Sequence, residues 1–335
     1  MSNHIEYRAL VAEESKRGFT QQVRILSTAS LPENDLLVRV HYSSLNYKDA
    51  LSASGNRAVT KNYPFTPGID AAGIIVKSGT DKFKEGDEVI VTSYDLGMNT
   101  PGGFGEYISV PAEWTLHLPG NLTLKESMMI GTSGLTAAIG IEKIMAGGIE
   151  PESGKILVTG ATGAVGSFAV ALLARLNYDV VAATGKTDRE EFLIKAGASE
   201  VIHRDRVSDV GGSPLLSSSW AGAIDTVGGS MLDAVIRQTA HNGVVACCGN
   251  VLGGELNTSI YPFILRGVSL MGIDSGIALM QDRLRLWNKL AGPWKPEPEI
   301  LAHVCTEKGL DDMKPEIEKM LQGGQSGKIL VNLRD

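Results

Sequence analysis

The sequence predicts an α/β protein of two domains, a doubly wound parallel sheet joined to an irregular β domain. Two observations carry this. Its 335 residues exceed the length at which a single core keeps growing. Residues 1–125 read as short strands broken by Gly and Pro, whereas from Ser127 onward short apolar runs alternate with segments of helical spacing.

In chain order, LLVRVHYSSL, GIIVKSG, DEVIVTSY and GEYISVPAEWTLHLP are the strands of the first part, and SLNYKDALSASG is a turn entering a short helix. TSGLTAAIGIEKIMAGG is then helical. KILVTG, DVVAAT, EVI, GAIDTVG and GVVACCGN follow as buried strands, with SFAVALLARLN and DREEFLIKAGA among the helices between them. Strand, helix, strand at this cadence gives parallel pairing. YPFILRG and VSLMGIDS lead to two further helices, ALMQDRLRLWNKL and DDMKPEIEKMLQ. The last strand, GKILVNL, is placed to pair back with the first domain and make it discontinuous.

Composition excludes several function classes. A net charge of −7 without a Lys/Arg block argues against a large nucleic-acid or anionic-membrane surface. MSNHIEYRAL lacks a basic stretch followed by an apolar one, and no window approaches the ~18 apolar residues of a membrane span, so a cytoplasmic protein is expected. The three cysteines, Cys247, Cys248 and Cys305, suit buried small residues better than a disulfide framework or a zinc site. Six scattered histidines have no second His or Cys nearby, so no metal is expected and substrate polarisation falls to protein hydrogen bonds or to the substrate itself.

One motif points to a ligand. Gly160, Gly163 and Gly166 form G-x-x-G-x-x-G between the strand KILVTG and the helix GSFAVALLARL. Glycines there permit a sharp turn, close approach of backbone to a pyrophosphate, and tight helix–strand packing, while N–H groups at the helix start face the phosphates. Such spacing can also mark a plain tight turn; the βαβ context favours a dinucleotide. An NAD site carries an acid at the end of the next strand. Here VVAATGK offers Thr184, Gly185 and Lys186, with Arg204 past the third strand as a second cation if the strands lie side by side. A hydroxyl and cations suit a 2′-phosphate, so NADPH is the expected cofactor. Asp188 is the acid that would oppose this reading, and solvated loop charge is the plain alternative for Lys186 and Arg204.

GIDAAG (68–73), KFKEGDEV (82–89), GGFGEY (102–107) and GATGAVG (160–166) resemble the medium-chain dehydrogenase/reductases. Their zinc alcohol dehydrogenases carry a His-Glu pair in the first motif and a lobe with four cysteines. Ile69 and Asp70 stand here instead of the pair, and the lobe is missing, which resembles the zinc-free quinone-reductase branch. Within it, SSLNYKDAL, MIGTSGLTA, WAGAIDTVGG and YPFILRGVSLMGIDS are similar to the NADPH-dependent acrylyl-CoA reductase subgroup.

The resemblance implies a GroES-like irregular β-barrel catalytic domain over residues 1–125 and 271–335, and a Rossmann-type NADPH-binding domain over 126–270. It implies Tyr47 beside the nicotinamide, Thr162, Gly163, Ala164 and Val165 at the pyrophosphate, and Thr184, Gly185, Lys186 and Arg204 at the 2′-phosphate. Asn250, Ile264 and Ser275 fall at further cofactor-contact positions. Hydride would pass to the β-carbon of an α,β-unsaturated thioester. Asn46, Tyr47 and Lys48 are the catalytic candidates on the loop expected at the cleft, as donors to the carbonyl, with backbone amides as the equal alternative; Tyr47, a phenol of pKa ~10, either protonates the enolate or only positions the nicotinamide. Asp49 suits a helix cap. Arg266 suits either a CoA phosphate or a structural ion pair. Free quinones or enones are the alternative substrates, and an NADPH-binding regulator without turnover is the reading from another class. A homodimer is expected, by edge pairing near VSLMGI.

Overall fold

The computed structural model describes residues 4–16, 18–208 and 211–334. The chain divides into two compact units, the first built from residues up to Thr132, Gly276–Ala291 and the chain from Cys305 onward, the second from Ser133–Ser275 and Gly292–Val304.

Among the described residues, the first unit holds a seven-stranded sheet. Its order is Cys305–Gly309, Lys328–Asn332, Leu36–Leu45, Asp70–Ser78, Glu88–Thr92 and Thr115–His117, with Tyr107–Val110 also paired to Leu36–Leu45. Leu36–Leu45 serves several neighbours because it is bent. Its register against Asp70–Ser78 slips between Leu37 and Val38 and again between Val40 and Tyr42, and extra residues of this kind turn a strand. Leu36–Arg39 therefore pair with Tyr107–Val110, and Tyr42–Leu45 pair with the C-terminal strand. Gly73 makes the bend possible, since a Cβ there would lie 2.0 Å from the Arg39 carbonyl oxygen. Val38, Val40, Ile75, Val89, Ile108, Ile329 and Val331 fill the interior, and the helix Met313–Leu321 adds Met313, Ile317 and Met320 from one face. A hairpin, Glu6–Ser15 with Gly18–Ser27, completes the unit.

Among the described residues, the second unit holds a parallel sheet of six strands in the order Glu200–His203, Val180–Thr184, Ile156–Val158, Trp220–Asp225, Thr239–Cys247, Ser269–Gly272. Numbered along the chain this is 3-2-1-4-5-6, the doubly wound order, whose direction reverses beside Ile156–Val158. Three of its inner strands are largely apolar, as burial on both faces requires: every residue of Ile156–Val158, Val180–Thr184 and Trp220–Asp225 is buried, with Thr184 and Asp225 as polar strand ends.

The structure departs from the expected domain limits in three segments, 126–132, 271–275 and 292–304. Residues 271–275 and 292–304 were assigned to the first domain and group with the second. Ser269–Gly272 is hydrogen-bonded to Thr239–Cys247. His303 packs on Phe192 with ring centroids 4.9 Å apart and its Nε2 lies 2.9 Å from the Phe192 carbonyl, while Arg175 meets Glu297 at 3.4 Å. The other limit moves from 126 to 133, just past a break in the helical run Leu124–Ala146 at Gly131 (φ 51°, ψ −160°). Among the described residues no helix is long and apolar enough to cross a membrane.

Candidate functional site

The Gly-rich turn is a strand-to-helix elbow. Ile156–Val158 ends, Gly160 takes a left-handed φ of +58°, Gly163 caps the next helix, and Ala164–Arg175 follows. A Cβ on Gly166 would stand 2.4 Å from the Gly160 carbonyl oxygen and 2.7 Å from Ala161 Cα, so the helix is drawn against the turn as only Gly permits. Thr162, Gly163, Ala164 and Val165 thus occupy the turn and the first residues of the helix. Asp225, which sequence reasoning missed, locks this elbow from behind. Its buried carboxylate accepts from Thr159 Oγ1 at 2.6 Å and from the Gly228 N–H at 2.7 Å, and Thr226 Oγ1 donates to the Thr159 carbonyl at 2.8 Å. Burial pushes the Asp225 pKa up against those donors.

The residues expected at a 2′-phosphate do come together. Glu200–His203 pairs with Val181–Thr184, opposing His203 to Thr184. The Arg204 N–H then donates to the Thr184 carbonyl at 2.9 Å, and Thr184 Oγ1 accepts from the Lys186 N–H at 3.0 Å and lies 3.3 Å from Thr162 Oγ1. The Arg204 side chain lies across Gly185, where a Cβ would meet its Cδ and Nε at 3.1 Å. Asp188 is held by its neighbour Arg189 at 3.3 Å. Of the remaining predicted contacts, Asn250 is exposed after Thr239–Cys247, Ile264 is 64% exposed on the helix Tyr261–Arg266, and Ser275 Oγ accepts from Thr136 Oγ1 at 2.7 Å.

Asn46, Tyr47 and Lys48 belong to the first unit, where Tyr47 opens the helix Tyr47–Ala53. Tyr47 and Lys48 are exposed. Asn46 is not: it is buried, and its amide is committed inside the fold, which corrects its reading as a donor to substrate. Asn46 Oδ1 accepts from Lys328 Nζ at 2.6 Å, and its Nδ2 donates to Asp70 Oδ2 at 2.9 Å, the Ser44 carbonyl at 3.1 Å and Asp49 Oδ2 at 3.2 Å. Asp49 caps the helix by accepting the Asn46 N–H at 2.7 Å, and its other oxygen accepts the Ile69 N–H at 2.8 Å. Asp70 accepts in addition from Ser44 Oγ, from the Thr132 N–H at 3.0 Å and from Thr132 Oγ1 at 2.6 Å. Lys328 Nζ stands 3.6 Å from Asp70 Oδ2, both side chains fully buried. Gly131 leaves room for the cluster, since a Cβ there would lie 2.7 Å from Asp70 Oδ2.

Electrostatics follow from that burial. Asp49 is pushed up to about 7, first by burial and then by the charge of Asp70. Burial lowers the Lys328 pKa against the pull of both acids. The thiols of Cys248 and Cys305 are pushed up to about 12 by burial, and all three cysteines are unpaired by disulfide. Arg266 is half-buried and its guanidinium is spent on backbone rather than on a carboxylate: it donates to the carbonyls of Arg237 at 3.0 Å, Thr239 at 3.2 Å and Leu216. Among the described residues no group of three or more His, Cys, Asp or Glu side chains is arranged to hold a metal ion.

Comparison with known proteins gives a consistent picture. Residues 32–120 match the alcohol dehydrogenase GroES-like domain and residues 164–287 the family described as zinc-binding dehydrogenase. The chain is 42% identical to YhfP of Bacillus subtilis (strain 168), which bears a quinone oxidoreductase name, over 98% of this chain and 99% of that one. A structure of YhfP with NAD bound superposes with a TM-score of 0.94 at 41% identity, covering 98% of this chain and 100% of that one. Acrylyl-CoA reductase AcuI of Ruegeria pomeroyi is 36% identical over 98% and 99% of the two chains. YhdH of Escherichia coli K-12 with bound NADPH superposes with a TM-score of 0.93 at 39% identity, over 97% of this chain and 100% of that one.

Proposed function

The chain belongs to the medium-chain dehydrogenase/reductase superfamily, in its quinone oxidoreductase and acrylyl-CoA reductase group, and on that premise we propose an NADPH-dependent, zinc-independent reductase of α,β-unsaturated thioesters such as acrylyl-CoA. The observation that carries the cofactor reading is Arg204 laid over Gly185 beside Lys186, with Thr184 where an NAD site would hold an acid. The elbow at Gly160 and Gly166 fits a pyrophosphate, because backbone there is bare of side chains and helix N–H groups of Ala164 and Val165 are at its mouth. When bound, NADPH supplies the hydride that reaches the β-carbon of the acceptor.

This chain's own residues bind and orient. Thr162 to Val165 hold the pyrophosphate; Thr184, Gly185, Lys186 and Arg204 hold the 2′-phosphate; Asn250, Ile264 and Ser275 line the remainder. Tyr47 faces the nicotinamide and acceptor, and its phenol or a water it orients gives the proton to the α-carbon. Asn46 contributes as the buried support of Tyr47, and Lys48 as an exposed cation beside it. Zinc does not fit. Asp70, the acid in the motif where zinc relatives carry theirs, accepts from Ser44, Asn46 and Thr132 and faces Lys328, so it has neither the partners nor the open lone pairs of a metal ligand. The protein acts as a cytoplasmic homodimer on a small electrophile.

The test is loss of NADPH absorbance with acrylyl-CoA, with NADH and a benzoquinone as parallel arms. Turnover preferring NADPH and the thioester supports the proposal. Turnover of the quinone alone overturns the thioester assignment in favour of the quinone reductase reading, and NADPH binding without oxidation of either acceptor assigns a regulator.

A further inference from the structure

The cluster beneath Tyr47 places two carboxylates and one ammonium out of solvent, all three side chains fully buried. Such an arrangement is weak as a stabilising device, because the desolvation of each ion offsets the attraction between them, and an apolar replacement of similar volume serves stability as well. Its geometry has another property. Asn46 is the hub, and an amide can be seated either way round, oxygen for nitrogen. Lys328, with donors only, fixes the choice: Oδ1 must face Nζ, so Nδ2 must face Asp70 and Asp49. The Asn46 backbone N–H is tied to Asp49 at 2.7 Å, so the seating of the side chain and the direction in which Tyr47 leaves the turn are one conformation. Asp70, facing the same ammonium, binds both the N–H and the hydroxyl of Thr132, and Ser93 Oγ lies 3.0 Å from Thr132 Oγ1.

We propose that Lys328, on the C-terminal strand, is a positioning residue of the reductase: its buried ammonium seats the Asn46 amide and the Asp70 carboxylate, and through Asn46 it sets Tyr47 for reaction. The inference rests on the reading of Tyr47 as the residue beside nicotinamide and acceptor. Lys328 touches neither. Its removal leaves the exposed face of Tyr47 chemically unchanged and loosens only the support, so kcat falls while NADPH binding, held by the other unit's phosphate contacts, does not.

The experiment compares Lys328→Met, Lys328→Arg and the charge-balanced pair Lys328→Met with Asp70→Asn, the last keeping the test open if the single Met variant does not fold. Two readouts are taken. Amide hydrogen exchange over residues 46–53 needs no turnover, and steady-state kinetics with NADPH and acrylyl-CoA separates kcat from KM. The expected result is faster exchange confined to residues 46–53 in the Met variants, a kcat lower by at least about tenfold with KM for NADPH little changed, and recovery of both by Arg. Unchanged exchange over 46–53 in the paired variant overturns the proposal whatever the activity. A kcat kept by the paired variant, or lost equally by Lys328→Arg, overturns it as well. Wild-type protein inactive on every acceptor would defeat the reductase reading, and the exchange result would still decide the support of the Tyr47 turn.

Discussion

At the scale of single residues, two groups of side chains make opposite demands. Lys186 and Arg204 meet solvent, and their joint value is charge on a phosphate. Lys186→Ala with Arg204→Ala should weaken NADPH by at least about a hundredfold and NADH only slightly, since each lost charge-assisted contact is worth roughly 1.5–3 kcal/mol. Fluorescence titration of both cofactors checks this, and equal weakening would remove the 2′-phosphate assignment. Asp49 is buried, with its pKa raised from 3.8 to about 7. A raised acid binds more protons folded than unfolded between those values, so its contribution to stability is full below the unfolded pKa and is lost as pH rises through about 7. The wild-type denaturation midpoint should therefore carry a component that falls between pH 4 and pH 7, and Asp49→Asn, uncharged throughout, should lack it. A midpoint with the same pH slope in both proteins would contradict the assignment. The sequence showed the first group because its residues follow one another on adjacent strands. It hid the second, since Asn46, Asp70, Thr132 and Lys328 meet only through tertiary pairing. A signal was present all the same: an acid in GIDAAG and a lysine in GKILVNL interrupt apolar strands.

Among elements, the elbow between Ile156–Val158 and Ala164–Arg175 carries the clearest constraint. A methyl group at Gly166 meets backbone at 2.4 Å and 2.7 Å, and backbone cannot swing aside as a side chain tip can. Gly166→Ala should cost about 1–3 kcal/mol, read from the denaturant midpoint, and should lower NADPH affinity by more than the Lys186→Ala substitution does. Retained affinity would mean that the turn does not touch the pyrophosphate. The elements of this unit were legible because parallel strands buried on both faces are continuous apolar runs between helical segments. The hairpin Glu6–Ser15 with Gly18–Ser27 was not, for a physical reason. Its first strand buries Leu10, Val11 and Ala12 in succession and its second is largely half-buried and polar, so neither alternates. Cys305–Gly309, reading CTEKG, is an edge strand whose partner lies on one side only, and its composition carries no strand signal.

For the whole molecule, the chain passes between the two units at residues 132, 275, 291 and 304, so the first unit is completed only when the C-terminal strand pairs with Leu36–Leu45. The second unit ends its sheet at Ser269–Gly272, which pairs with Thr239–Cys247 on one side and leaves its other edge without a strand among the described residues. An open edge of this kind is a template for association. Beside it in sequence, Ile260, Tyr261 and Leu265 are exposed apolar side chains on or next to one short helix. A two-fold pairing of Ser269–Gly272 with its copy would satisfy the edge and cover those side chains together, as an isologous interface does. The expected outcome is a solution mass of twice 35.6 kDa by light scattering at micromolar concentration. On dilution to the monomer, amide exchange at residues 269–272 should accelerate while that at residues 36–45, inside the first sheet, stays constant. A mass of 35.6 kDa under the first condition removes the dimer; a dimer whose 269–272 amides exchange as fast as those of the monomer moves the interface away from this edge.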